Sequence, residues 1–165
     1  MFRNKVTFDY WVYESLDELP VEDSRLMAAA VQARENAYAP YSGFRVGAAV
    51  LLANEEIVIG NNQENASYPS GLCAERVAVF QAGARFPGVA IKAIAISAAS
   101  DRIHVDRPAA PCGNCRQAIV EYEQRQPDGI SLILMGASGP VYKCASMADL
   151  LPFAFGSSNL KQDLR

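Results

Sequence analysis

Three of the four cysteines fall into two short clusters, Cys73-Ala74-Glu75 and Pro111-Cys112-Gly113-Asn114-Cys115. Cys112 and Cys115 stand three apart, the spacing at which two thiolates from a turn and a helix's first residues hold one metal at about 2.3 Å each. Cys73 lies at the start of another predicted helix. Both clusters therefore put sulfur where free backbone N–H groups and the helix dipole favour the thiolate. Three thiolates suit zinc and leave its fourth position to water, which separates a catalytic site from a closed structural one. A closed four-cysteine site would show two Cys-x-x-Cys knuckles, and this sequence has one. The remaining cysteine, Cys144, reads either as a small half-buried side chain after a strand or as a fourth ligand that would close the site.

Glu75 follows Cys73 by two residues, an offset that on a helix turns it away from the ion but leaves the neighbouring water within reach. A carboxylate there can take a proton from water and pass it to a departing amine. A lone helix glutamate is ordinarily solvated, and the flanking cysteines argue against that reading. Three thiolates on a divalent ion sum to one negative charge, which opposes ionisation of the water. Arg76 or Arg116 can offset it by donating to the sulfurs, and Arg76 is favoured because its three-residue spacing shares the face of Cys73. His104, the only histidine, lies between Arg102 and Asp106 in a polar loop and reads as solvated. No histidine-based zinc cluster can be built without it.

The elements that must position these groups follow from periodicity. Alternation over Lys5 to Tyr13 predicts a strand, and helical spacing of Leu26, Ala30, Ala33 and Ala37 predicts a helix from about Glu22 to Ala37 capped near Asp23 or Ser24. Phe44 to Ala53 and Ile57 to Asn61 read as a hairpin. A helix over Cys73 to Ala84 precedes the apolar run Ala90 to Ala98, which has the composition of a central buried strand. A helix from Gly113 to Gln124, strands at Ser131 to Met135 and Val141 to Lys143, and a short helix from Ser146 or Met147 complete the chain. Helices alternating with strands after the hairpin indicate an α/β sandwich around a mixed sheet of about five strands. The expected division is a strand-forming N-terminal extension over residues 1–22 and one catalytic domain over residues 23–165.

At 165 residues, half of them hydrophobic, the chain can bury roughly two thirds of its unfolded surface in one core. Its formal net charge of −3 leaves no basic footprint and argues against nucleic acid as a partner. Met1 to Leu16 lack the apolar run of a signal peptide, and no stretch reaches membrane-spanning length. A cytoplasmic protein with reduced thiols and a small, weakly charged substrate is expected, with no membrane partner.

With these residues in place, the chain resembles the cytidine deaminase family over about Leu26 to Phe155. The resemblance rests on Pro40-Tyr41-Ser42-Gly43-Phe44 with Val46-Gly47-Ala48, Asn62-Gln63-Glu64-Asn65-Ala66, Cys73-Ala74-Glu75-Arg76, Pro111-Cys112-Gly113-Asn114-Cys115-Arg116-Gln117, and Leu150-Leu151-Pro152 with Phe155-Gly156. It implies a three-layer α/β/α fold, one zinc ion per subunit on Cys73, Cys112 and Cys115, and Glu75 as proton shuttle in hydrolysis of cytidine and deoxycytidine for pyrimidine salvage. It further implies that Asn62 and Glu64 bind the ribose 3'-hydroxyl, that Phe44 lines the base pocket and that the Ala74 N–H meets the pyrimidine. Tyr68 and Phe155 match the family's cross-subunit positions, so a homotetramer with shared pockets is expected. A deaminase of aminonucleoside antibiotics such as blasticidin S shares the cysteine motifs. The Asn62-Gln63-Glu64-Asn65 stretch favours the nucleoside enzyme. Residues before about Glu22 exceed the compact family core.

Overall fold

The computed structural model describes residues 1–160, so the last five residues of the expected catalytic domain lie outside it. One mixed sheet contains β1 (Tyr10–Tyr13), β2 (Phe44–Leu52), β3 (Ile57–Asn61), β4 (Ile91–Ser100), β5 (Ser131–Met135) and β6 (Val141–Cys144), ordered β1-β6-β5-β4-β2-β3. Among the described residues, β4 and β5 are the one pair of neighbouring strands that run parallel, and the other neighbours are antiparallel. The helices are α1 (Val21–Glu35), α2 (Ala74–Arg85), α3 (Gly113–Glu123) and the single-turn α4 (Met147–Leu150).

Side-chain parity along β2 divides the core. Ala48, Val50 and Leu52 point to the face covered by α2, α3 and α4, where they meet Ala78, Val79, Ile119 and Met147. Ala49 and Leu51 point to the opposite face and pack against Leu26, Met27 and Ala30 of α1. The expected α/β/α layering is present. β4 is apolar on both sides because helices cover both sides, and that two-sided burial erases the alternation an exposed strand would show.

The sheet has six strands rather than about five. The additional strand is β1, and it spans four residues instead of the nine expected from Lys5 to Tyr13. Its length is set by its neighbour. β6 offers only Val141 to Cys144 as partners before Ser146 begins the capping box of α4, so Lys5 to Asp9 have no strand to pair with. The start of α1 also differs from expectation. The chain enters the helix at Pro20, and the Ser24 N–H bonds to its carbonyl. Asp23 caps nothing; it is buried and pairs with Lys143 of β6.

Candidate active site

Two helix starts build the centre. Cys73 occupies the N-cap of α2 and Cys112 the N-cap of α3, each in an extended conformation, with Cys115 in the first turn of α3. α2 reaches this position because Gly60 of β3 has no side chain: a Cβ there would stand 2.5 Å from the Ala78 nitrogen. The Cys73 and Cys112 sulfurs are 3.9 Å apart and those of Cys112 and Cys115 3.5 Å. All three lie within 4.8 Å of one another. Ligands 2.3 Å from a tetrahedral ion are separated by about 3.8 Å, so the donor set fits zinc in both chemistry and spacing.

The thiols also share charge. The Cys73 thiol is lowered to about 5, first by hydrogen bonding with Cys115 and then, against the cost of burial, by Arg76 and Cys112. The same bond with Cys73, together with burial, raises the thiol of Cys115. Arg76 stands beside Cys73 and Cys115, whose charge favours its guanidinium form against the cost of burial, while its Nε is buried without a partner. Arg116 takes no part. Its Nε donates to the Pro111 carbonyl and its Nη1 to that of Leu150, so this guanidinium ties α4 to the loop ahead of α3. Cys144 is buried in the core at the end of β6, outside the thiol cluster, which leaves its reading as a small buried side chain. His104 is exposed and contacts Ser138.

Glu75 is 5% exposed and lines a cleft of about 610 Å³ with Cys73 and Cys112. Burial raises its carboxyl above the usual range, and the Cys73 charge adds to the rise. Phe44, Asn62, Glu64 and Tyr68 line the same cleft. Ala74, fully buried, opens α2 with its N–H among those the helix itself leaves free. The Asn62 amide spans the start of β2, with Nδ2 donating to the Phe44 carbonyl and Oδ1 accepting from the Val46 N–H. Glu64 accepts from the N–H groups of Tyr41 and Ser42 and from the Ser42 hydroxyl. Phe155 is more than half exposed and does not line the cleft of its own chain.

Sequence reading assigned no role to Tyr41, Ser42, Leu72, Ile96, Ala109 or Ala110, which also line this space. Ser42 had a signal in Pro40-Tyr41-Ser42-Gly43-Phe44. Ile96 had none, since a β4 residue facing a cleft looks like any core isoleucine.

A cleft over an α/β sheet, with three thiols on converging helix starts and a buried carboxyl beside them, defines the class as zinc-dependent hydrolytic enzymes. The family model for the cytidine and deoxycytidylate deaminase zinc-binding region matches residues 20–126, and the chain belongs to that family. A cytidine deaminase of Halalkalibacterium halodurans is 38% identical over 138 residues, covering 82% of this chain and 95% of that protein. One from Sporosarcina psychrophila is 38% identical over 139 residues, covering 82% and 93%. The crystal structure of cytidine deaminase from Burkholderia pseudomallei matches with TM-score 0.69 and 42% identity over 79% of this chain and 97% of that one.

Proposed function

We propose that this enzyme hydrolyses cytidine and deoxycytidine to uridine and deoxyuridine with release of ammonia. The observation that carries this reading is the placement of Glu75, buried beside the thiol cluster in a cleft that Asn62 and Glu64 also line. Zinc on Cys73, Cys112 and Cys115 supplies a Lewis acid that makes water nucleophilic near neutral pH. Arg76 offsets the excess negative charge of the sulfurs. Glu75 takes a proton from the attacking water and gives it to N3 of the pyrimidine, then takes the proton of the new C4 hydroxyl and delivers it to the departing amine, so a single side chain serves as base and acid in turn. Phe44 supplies a flat apolar wall for the base, and the Ala74 N–H fixes its orientation. Asn62 and Glu64 pair donor and acceptor against a ribose hydroxyl.

The similarity of the relatives over nearly their whole length supports this substrate class. We further propose a homotetramer in which Tyr68 and Phe155, both exposed on the single chain, complete neighbouring pockets. A role in cytoplasmic pyrimidine salvage accords with that chemistry; no helix among the described residues is long and apolar enough to cross a membrane. Ammonia release from cytidine, deoxycytidine, cytosine, cytidine monophosphate and blasticidin S tests the reading. Both nucleosides are expected to lead in kcat/KM, and a leading rate on blasticidin S would overturn it. Light scattering of the purified protein tests the tetramer.

A further inference from the structure

We propose that Ser42 is a positioning residue whose hydroxyl joins the two walls of the substrate cleft. Its Oγ donates to Glu64 Oε1 at 2.5 Å and accepts from the Phe44 N–H at 2.9 Å. Glu64 lies beyond the end of β3, and Phe44 opens β2. One oxygen thus fixes the spacing between a carboxylate and the backbone that carries a phenyl ring. The inference rests on the reading of Glu64 as a sugar contact.

The local backbone is shaped for this bridge. Gly43 has φ +65°, a conformation that costs glycine little. This turn brings the Phe44 N–H back to the Ser42 hydroxyl two residues earlier. Arg102, from the segment after β4, donates to the Tyr41 carbonyl, and the Asp101 N–H bonds the Gly43 carbonyl. The turn is therefore braced from outside the cleft.

The bridge also defines what Glu64 can recognise. A carboxylate offers about four acceptor directions, and Ser42 and Tyr41 fill three of them. The remaining capacity accepts only, so the matching ligand group must be a donor, as a 3'-hydroxyl is. Ser42 is the largest influence holding Glu64 below the ordinary carboxylate range; the Tyr41 and Ser42 N–H groups and the Arg102 charge act in the same direction against a burial penalty. Removing the hydroxyl raises that pKa, so the accepting form is lost at a higher pH as the solution is acidified.

Steady-state kinetics of Ser42→Ala, Ser42→Thr and Glu64→Gln on cytidine and 3'-deoxycytidine test this. Ser42→Ala is expected to raise KM for cytidine about tenfold, with kcat within about twofold of the parent. The acid-side rise in its KM should begin at higher pH. Ser42→Thr, which keeps the hydroxyl, should restore the parent KM, and Ser42→Ala should raise KM for 3'-deoxycytidine by a clearly smaller factor than for cytidine. An unchanged cytidine KM in Ser42→Ala, or an equal rise with both nucleosides, overturns the positioning role while Glu64→Gln still raises KM. An unchanged KM in Glu64→Gln overturns the sugar reading itself, and the present inference with it.

Discussion

Glu75 and Cys73 are neighbours whose environments drive their protons in opposite directions. Cys73 sits at a helix start among hydrogen-bond donors and gives its proton up readily. Glu75, two residues further on and buried, holds on to its own. Such a separation lets one group bind a cation while its neighbour carries protons near neutral pH. Glu75→Gln preserves size and much of the hydrogen bonding but cannot shuttle a proton. It should lower kcat by about a thousandfold with zinc content and melting temperature unchanged, as read by deamination assay, metal analysis and calorimetry. Loss of zinc together with activity would instead give Glu75 a part in holding the ion.

At the scale of elements, the site depends on how closely α2 lies against β3. Gly60 provides the gap, with the Ala78 nitrogen and the Ala74 carbonyl both inside normal contact distance of any Cβ placed there. Gly60→Ala should therefore cost about 1–3 kcal/mol and displace the N-terminus of α2, weakening zinc retention as well as stability. Chelator competition read beside thermal melting checks both effects; a stable variant with normal zinc affinity would show that the helix has room to move.

Sequence periodicity located α2 and α3 within a residue or two because their apolar positions face one core and their cysteines mark where each begins. It could not show the Gly60 contact, since the space beside a glycine depends on which helix passes over it. Spacing to Cys73 favoured Arg76 over Arg116, but it could not show that Arg116 is held by the Pro111 and Leu150 carbonyls, since that depends on α4 packing beside α3. The first strand was overextended for a related reason. Alternation from Val6 to Val12 describes what the segment could do, whereas the pairing it achieves is limited by β6, more than a hundred residues away.

Across the whole molecule, the chemistry and the added strand occupy opposite ends of the sheet. The cleft draws on β2, β4, α2 and the segment that follows β3, while β1 lies beyond β5 and β6, and residues 1–19 precede the part matched by the family model. Removing residues 1–13 should leave kcat/KM for cytidine near the parent value. It should lower the melting temperature by several degrees, at about 2–4 °C per kcal/mol for a chain of this size, because the Tyr10 ring leaves Tyr142 and four paired residues are lost. Turnover and calorimetry on the shortened chain decide it, and a collapse of kcat/KM would tie the segment to the active centre.

That segment also governs how the molecule behaves in a crowd. A sheet rim with unpaired backbone groups invites stray chains to add on, and short rims invite few. β1 covers β6 and presents in turn a margin only four residues long, too brief to template a growing fibre even though Trp11 and Val12 face water. Its brevity keeps one molecule from becoming a seed for the next.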